Sequence, residues 1–454
     1  MQRTTAGKRS RAARKRLIDA LMTAMLATPL ALCASPASAA AAAAAVDPRE
    51  ALRESGCQAL TARVAAIPGD GPVMLASYEA APGGQPLPGP LQQSAFVYDN
   101  ALAGIALIAC GQRDAARRVA DGVVAGVTRD RHYRDGRIRN AYRAGAVPQG
   151  PVPLPGWWDD KAKRWYEDRY QVGTATGNVA WAALLLLAAY EATHAQRYLD
   201  TARTMMAWID KETYNADAPA AFVGGYFGHE PSPQRQGWKS TEHNVDAYAA
   251  FRWLSHYDPD PRWRTGADRA RRFVETMWQP GEGRFAIGTR DDGRTLNAAP
   301  SALDASLWPL IAIPDAAGNW QRALDWARSQ HGVQGGYGFN ANPDGIWTEG
   351  TGQAALVLRA SERDAASLWP VLMAQRAPSG LLFATPEARI RTGLQIGPDS
   401  KTDDFYYFHL PHLGATAWAV LAAVGWNPFQ PGGCLGRRCD AAATAPRSDN
   451  PSKD

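Results

Sequence analysis

The stretch GWKSTEHNVDAYAAF places four polar side chains within five residues at the start of an apolar run: Glu242, His243, Asn244 and Asp246. Carboxyl groups perform acid–base chemistry when their surroundings bring the pKa near neutral pH. Glu242 has apolar neighbours and lies beside His243, so we predict a raised pKa and assign it as a general acid. Asp246 comes one helical turn later on the same face, where it could hold Glu242 or bind substrate, as could His243 and Asn244. The competing explanation is helix capping by Thr241, with the acid favoured by the helix dipole.

Five other segments share one design, a polar or glycine-containing start followed by an apolar run rich in small residues. They are FVYDNALAGIALIAC, TGNVAWAALLLLAAYEA, SALDASLWPLIAI, EGTGQAALVLRAS and HLGATAWAVLAAVGW. Residues at or just before their starts are further candidates for the same site: Tyr98, Asp99, Asn178, Asp304, Trp347, Glu349 and His412. Glu349 or Asp99 is predicted to be the base that partners Glu242, and the others to bind substrate. Asp304 follows Ser301 at capping-box spacing, so capping competes with a binding role.

The elements that must position these residues are two kinds of helix. The six segments above are apolar almost all round, which marks buried helices. Between them lie segments charged on one face, typical of half-solvated helices: RDAARRVADGVVAG, RYLDTARTMMAWIDKE, PRWRTGADRARRFVETMW, NWQRALDWARSQ and ERDAASLWPVLMAQ. A sixth helix of this kind is predicted at residues 48–66, where it would pack beside the last buried helix and close a ring. The sequence therefore predicts an all-α (α/α)6 toroid with six inner and six outer helices.

The connections between these helices are unequal in length. Short turns follow the inner helices, whereas long connections rich in glycine, proline and aromatic residues precede them. Long connections in a compact domain tend to carry function, so the face at the inner-helix N-termini is the predicted cleft. Aromatic faces can stack on sugar rings while polar tips bind hydroxyl groups, although loop packing is the alternative. The candidates from these connections are Arg139, Asn140, Tyr142, Trp158 and Trp238.

The alternating hairpins, with VYDNALA, TGNVAWAALLL, STEHNVDAYAAF and EGTGQAALVL at inner-helix starts, resemble the six-hairpin (α/α)6 glycosidase superfamily over about residues 48–430. The resemblance implies a glycoside hydrolase acting on a poly- or oligosaccharide. In such an enzyme one carboxyl protonates the departing glycosidic oxygen, and a second activates water or attacks directly. No pattern in the chain identifies the sugar, the linkage, endo or exo action, or the stereochemical outcome.

Two alternatives remain open at this stage. The same fold hosts polysaccharide lyases, and His243, Asn244, Tyr248, Tyr142 and Arg139 could neutralise a uronate and supply a base. A non-catalytic glycan-binding or envelope protein would keep the aromatic residues and tolerate loss of the acids. Phosphate-binding, dinucleotide-binding, zinc-protease and serine-hydrolase patterns are absent from the sequence, so no cofactor and no metal are predicted.

The N-terminal residues predict a signal peptide. They have a basic head, an apolar stretch too short to span a bilayer, and an Ala-Ser-Ala cleavage site that ends at Ala39. Seven of the 49 basic and one of the 44 acidic residues lie in residues 1–39, which leaves 42 and 43 in the mature chain. This balance gives no support to a nucleic-acid partner. We expect a monomer in the periplasm or outside the cell, with a flexible leader at residues 40–47 and a disordered tail with a cysteine loop at 431–454.

Four cysteines remain after cleavage, an even number that suggests disulfides in an exported chain: Cys57, Cys110, Cys434 and Cys439. Four cysteines allow three pairings, and buried or free thiols are the alternative. Cys434 and Cys439 are close enough in sequence to form a small loop. Cys57 and Cys110 would then tie the first helix to the second.

Overall fold

A computed structural model describes residues 47–80, 86–313, 315, 318–402 and 405–436. Within these residues the chain forms thirteen α-helices: α1 (Pro48–Ala65), α2 (Val97–Ala109), α3 (Arg113–Thr128), α4 (Thr176–Thr193), α5 (Gln196–Trp208), α6 (Thr241–Leu254), α7 (Pro261–Met277), α8 (Leu303–Leu307), α9 (Pro309–Ala312), α10 (Arg322–His331), α11 (Thr348–Ala360), α12 (Leu368–Met373) and α13 (Leu413–Val424). The predicted signal peptide, most of the leader, Cys439 and the end of the tail lie outside the described residues.

The six inner helices are α2, α4, α6, α8, α11 and α13, and each contacts the next around the ring. The ring closes because α13 returns to contact α2. Glycines allow the close approaches: a Cβ at Gly104 of α2 would lie 2.5 Å from Leu185 of α4, and one at Gly352 would lie 3.0 Å from the Ala419 backbone nitrogen of α13. The small residues of the apolar runs therefore set the distance between inner helices.

The outer layer consists of α1, α3, α5, α7, α10 and α12, and it confirms the predicted (α/α)6 toroid. The first helix packs on the last inner helix, where a Cβ at Gly56 would lie 2.4 Å from Val420. A disulfide joins Cys57 of α1 to Cys110 at the end of α2, as predicted, with Cα atoms 5.8 Å apart. The predicted Cys434–Cys439 pairing involves a residue outside the described part of the chain.

Two helices are shorter than the sequence pattern predicts, and proline accounts for both. The fourth inner helix divides at Trp308 into α8 and α9, with Pro309 as the first residue of α9. The fifth outer helix spans Leu368–Met373 only, with Pro370 in its first turn. Proline lacks a backbone N–H and fits only the first turn of a helix, so α9 starts at Pro309 and α12 starts within two residues of Pro370.

The connections contain strands of two or three residues, all paired antiparallel: β1 (Val73–Met74), β2 (Ser94–Phe96), β3 (Ala141–Arg143), β4 (Gly145–Ala146), β5 (Trp157–Asp159), β6 (Arg164–Tyr166), β7 (Thr174–Ala175), β8 (Tyr214–Asn215), β9 (Ala221–Phe222), β10 (Gly225–Phe227), β11 (Gln234–Gln236), β12 (Trp278–Gln279), β13 (Arg284–Phe285), β14 (Gly288–Thr289), β15 (Leu296–Asn297), β16 (Gly332–Val333), β17 (Gly336–Tyr337), β18 (Leu382–Phe383), β19 (Arg389–Arg391), β20 (Tyr406–Phe408) and β21 (Pro411–His412). Strands β7, β10 and β11 form a three-stranded sheet, and the other described sheets have two strands. Several of these strands run directly into an inner helix, as β2 runs into α2 and β21 into α13, so they fix where the helices begin.

Part of the predicted tail is ordered against the domain. The Gly432 N–H donates to the Glu191 carboxylate at 2.7 Å, and Gln430 bonds the backbone carbonyls of Ile311 and Ala312. None of the described helices is both long and apolar enough to cross a membrane.

Candidate functional site

The third inner helix begins one residue earlier than the capping prediction places it. Ser240 is the N-cap, and its hydroxyl accepts from the His243 N–H at 3.2 Å. Thr241 is the first helical residue, and its hydroxyl donates to the Ala286 carbonyl at 2.6 Å. Thr176 likewise donates to Val223 rather than capping α4. The prediction that Thr241 is an N-cap is wrong, because a loop carbonyl engages its hydroxyl.

Asp246 lies inside the ring, one turn beyond Glu242. It is fully buried, and neither carboxyl oxygen has a hydrogen-bond partner. Burial raises its pKa well above the ordinary range, and the charges of Glu242 and Asp304 raise it further. A Cβ at Gly177 of α4 would lie 3.0 Å from Asp246 Oδ2 and 2.5 Å from the His243 ring, so this glycine makes room for both side chains.

Glu242 and Asp304 form an interacting pair of acids at the starts of α6 and α8. Burial raises the pKa of Glu242 well above its ordinary value, and the Asp304 and Glu349 charges add to the shift. Burial also raises the pKa of Asp304 to about 6, although its carboxylate accepts from the Ala305 N–H at 2.6 Å. Two neighbouring carboxyls do not readily ionise together, so this pair holds at least one proton near neutral pH. The capping box that competed for Asp304 does not form, because Ala302 is the N-cap of α8 and the Ser301 hydroxyl accepts from the Ala341 N–H instead.

Glu349 is oriented by side chains from two other inner helices. The Tyr98 hydroxyl donates to Glu349 Oε1 at 2.6 Å and accepts from the Trp418 indole N–H at 2.8 Å. Glu349 Oε2 is buried without a hydrogen-bond partner. Burial raises the pKa of Glu349 to about 7, although His412 and the Tyr98 hydrogen bond both act to lower it. The carboxyl therefore keeps one oxygen free and titrates near neutral pH.

His412 joins Glu349 to Asp99. As N-cap of α13, its Nδ1 accepts from the Ala415 N–H at 3.3 Å, which puts the proton of a neutral ring on Nε2. Nε2 lies 3.4 Å from Asp99 Oδ2, and Nδ1 lies 3.8 Å from Glu349 Oε2. Burial lowers the pKa of His412, but attraction by Asp99 and Glu349 outweighs it, so the net shift is upward. A Cβ at Gly414 would lie 2.6 Å from Asp99 Oδ1 and 3.1 Å from Glu349 Oε2, so only glycine fits beside this pair.

Aromatic rings enclose the acids. Tyr98 packs against Trp181 and Trp308 with ring centroids 5.3 and 6.5 Å apart. Trp347, a predicted site residue, is buried against Tyr407 at 5.4 Å. On the opposite side of His412, Tyr78 stacks at 4.3 Å. These rings reduce the hydration of the acids, which is the cause of the raised pKa values.

Sequence reasoning missed Tyr78, Tyr170 and Trp181 as site neighbours. Tyr78 and Tyr170 lie in connections with no inner-helix pattern, so no local signal selects them. Trp181 occupies the sixth position of α4 and was treated as core. The sixth position of α6 is Asp246, which was selected, and this correspondence between inner helices is the signal that could have found Trp181.

Asn178 and Asn140 are together but support the fold locally. Asn140 Oδ1 accepts from the Asn178 amide at 2.8 Å and from the Ala175 N–H at 2.6 Å. Its own amide donates to the Tyr170 carbonyl at 2.7 Å. Both side chains hold the start of α4, and the Asn178 amide also lowers the pKa of Tyr170, which burial raises to about 12.

Arg139 and Tyr142 do not join the acids, contrary to their predicted place in the cleft. The Arg139 guanidinium is fully buried and binds Asp130 at 2.6 Å and Glu230 at 3.1 Å. The Tyr142 hydroxyl bonds Asp130 and the Gly126 carbonyl. A buried guanidinium needs carboxylates around it, and Asp130 and Glu230 supply them at this position.

The remaining predicted site residues lie in different surroundings. Asn244 is buried, and its side chain binds the backbone of Phe222 and Ser240. Trp238 packs against His243 with ring centroids 5.3 Å apart, next to the cluster. Trp158 is 53% exposed on the hairpin of β5 and β6, opposite Trp165. Burial lowers the pKa of His243 to about 4, so its ring is neutral.

Comparison with known proteins tests the architecture. The chain is similar to the structure of a glycosidase variant in complex with glucose, at 12% identity and a TM-score of 0.53 over 83% of this chain and 98% of the other. A sugar epimerase from a ruminal bacterium aligns at 11% identity and a TM-score of 0.56, over 82% and 98% of the two chains. A GH76 α-mannanase from Bacteroides thetaiotaomicron aligns at 12% identity and a TM-score of 0.50, over 83% and 95%.

The chain has the six-hairpin (α/α)6 fold. Identity of 11–12% establishes the architecture of this six-hairpin toroid and leaves its reaction to its own residues. No protein-family model matches the sequence. No curated protein matches it either.

Proposed function

We propose that the six-hairpin toroid is a glycoside hydrolase acting on a poly- or oligosaccharide, with Glu242 as general acid and Glu349 as base. The observation that carries the proposal is the asymmetric binding of Glu349. Tyr98 occupies Oε1, while Oε2 is buried without a hydrogen-bond partner, which leaves its lone pairs unused by the protein. Asp99 is the weaker candidate for the base, because the His412 Nε2 lies beside its Oδ2.

In this mechanism Glu242 gives its proton to the glycosidic oxygen as the bond to the sugar carbon breaks. Glu349 Oε2 removes a proton from the attacking water, or attacks the carbon directly. Burial raises the pKa of Glu242, and the Asp304 and Glu349 charges raise it further, which favours the protonated form that an acid needs. The Tyr98 hydroxyl then helps to stabilise Glu349 as a carboxylate.

The lyase alternative has less support. Its residues separate in space, with Arg139 and Tyr142 bound to Asp130 and Asn244 bound to backbone groups. Tyr248 lines a different cavity of about 420 Å³ together with Arg252 and Arg271. Arg139, Tyr142 and Asn244 each already bind another group of the protein, so the set offers no unengaged guanidinium for a uronate.

A second candidate function is sugar epimerisation, favoured by the two imidazoles beside the acids. The His243 ring is neutral and suited to remove a proton next to a carbonyl group. His412 has a raised pKa and is suited to return a proton. Sugar epimerases also share this fold. An epimerase would convert a reducing sugar without creating new reducing ends, and deuterium from solvent would enter the product.

The first experiment incubates the purified protein with a panel of neutral and acidic polysaccharides and reads reducing ends together with near-ultraviolet absorbance. New reducing ends without absorbance are expected, and absorbance would indicate a lyase. Glu242→Gln and Glu349→Gln are each expected to lower turnover by about 10²–10⁴-fold. Asp160→Asn, at an exposed position of the β5–β6 hairpin, is the matched control. Unchanged turnover in both glutamine variants would contradict the assignment.

We also propose export of the protein, which the disulfide between Cys57 and Cys110 supports, since such bonds persist in oxidising compartments. The signal peptide remains a prediction from residues 1–39. Fractionation of cells expressing the full chain, with N-terminal sequencing of the product, tests cleavage near Ala39.

A further inference from the structure

The ionisable side chains of the site are mostly acidic. Five carboxyl side chains act on one another at the starts of the inner helices: Asp99, Glu242, Asp246, Asp304 and Glu349. Among the described residues, the only basic side chain that forms an ion pair with any of them is His412. Both oxygens of Asp246 and Oε2 of Glu349 are buried without partners.

The buried basic residues of the described chain are committed elsewhere. Arg139 binds Asp130 and Glu230, and Arg118 binds three backbone carbonyls. The Lys239 ammonium binds the carbonyls of Asp217 and Pro219. Arg284 binds Glu282 and the Ala298 carbonyl. None of these four cations is free to neutralise a negative group brought to the acids.

We infer that the site accepts a sugar ring without a carboxylate and rejects uronic acids. A uronate carboxylate would be desolvated beside several carboxyls with no guanidinium or ammonium to pair with it. The hydroxyl groups of a neutral sugar, by contrast, can donate to ionised carboxylates and accept from protonated carboxyl groups. The inference rests on the proposed function, because it concerns the substrate class of the same site.

The test compares each neutral glycan with a form of itself whose primary hydroxyls have been oxidised to carboxylates. Soluble starch, α-mannan and cello-oligosaccharides are the probes, since oxidation leaves their linkages and ring stereochemistry unchanged. Turnover of at least one neutral probe is expected, with a loss of about tenfold or more on its oxidised form. Equal or faster turnover of the oxidised form would overturn the inference.

Binding separates the inference from the proposed hydrolysis. With the Glu242→Gln protein, affinity electrophoresis measures each pair of probes without turnover. Retardation by the neutral form alone, without new reducing ends from the native protein, would support the inference and overturn hydrolysis. Equal retardation by both forms would overturn the inference and leave hydrolysis standing. Retardation by no probe, together with no turnover, would overturn both.

A charge variant tests the cause of the selectivity. Adding Asp304→Asn to Glu242→Gln removes a second carboxyl from the cluster, so binding of the oxidised probe should improve relative to the neutral one. Adding Asp160→Asn instead removes an exposed carboxylate far along the chain and should leave the ratio unchanged. An equal change in both double variants would show that repulsion by the cluster is not the cause.

Discussion

At the scale of single residues, the site is a set of carboxyls whose protonation is controlled by burial. Glu349 titrates near neutral pH because aromatic rings replace water around it, while Tyr98 moderates the shift by donating to Oε1. In the proposed mechanism the base Glu349 must lose its proton before it acts, whereas the acid Glu242 must keep its proton. Under that proposal, the pKa of Glu349 sets the acidic side of the activity profile.

The kcat/KM of the native protein is expected to rise with pH through about 7 and to fall at higher pH when Glu242 loses its proton. Tyr98→Phe removes a hydrogen bond to the charged form of Glu349, so the acidic limb should move upward by about one pH unit. Turnover measured across the pH range for both proteins checks this. Tyr166→Phe, on the β5–β6 hairpin, is the control, and an acidic limb unmoved by Tyr98→Phe would contradict the assigned base.

Residue types at helix starts were sufficient to predict the acid cluster, since Glu242, Asp304 and Glu349 each begin an inner helix. They were insufficient for Arg139, because a guanidinium in a loop can face a substrate or a nearby acid, and here it binds Asp130 at a sequence separation of 9. They were also insufficient for Thr241, whose hydroxyl finds the Ala286 carbonyl 45 residues away. Long-range partners of this kind leave no local pattern.

At the scale of elements, periodicity of apolar residues predicted all six inner and all six outer helices. It overestimated the lengths of the fourth inner and fifth outer helices, since apolar runs continue through Pro309 and Pro370. The short strands before the inner helices were not predicted, because two residues are too few to show alternation. Strands β2, β7 and β21 nevertheless run directly into α2, α4 and α13 and so fix the starts of those three helices.

Gly414→Ala is expected to lower kcat/KM by about 10²-fold. The added methyl group, in the first turn of α13, would displace the side chains of Asp99 and Glu349 on the neighbouring helices. The free energy of unfolding should change by less than the activation free energy. Alanine favours a helix over glycine by about 1 kcal/mol, and this gain offsets part of the cost of the close contact. Enzyme kinetics and urea unfolding together check this. Gly71→Ala, where a Cβ would meet open space, is the control. Full activity of Gly414→Ala would show that this close approach does not position the acids.

At the scale of the whole molecule, the first helix completes the outer layer beside the last inner helix, and a disulfide fixes it there. The resemblance seen in the sequence predicted this architecture, because helical hairpins repeat along the entire domain. The sugar and linkage depend on side chains of unequal loops, where no repeat exists. Their identity must come from the substrate panel.

Replacing Cys57 and Cys110 with serine is expected to lower the free energy of unfolding by about 4 kcal/mol, since the bond closes a loop with a sequence separation of 53. Activity of the folded variant should be retained, because neither sulfur lies among the acids. Urea unfolding of the native and double-serine proteins measures the difference. Addition of a reductant to the native protein should reproduce it, and a variant as stable as the native protein would contradict a stabilising role.

The hydrogen bond from Trp418 to Tyr98 joins residues 320 positions apart and completes the binding of Glu349. Almost the entire domain must therefore be synthesised before the Tyr98 hydroxyl oxygen can accept a hydrogen bond from Trp418. Prematurely terminated chains that lack α13 would have an open ring, no Trp418, and no cap at His412. Under the proposed function, activity would then arise only once the last inner helix is in place, so incomplete or clipped molecules would lack it.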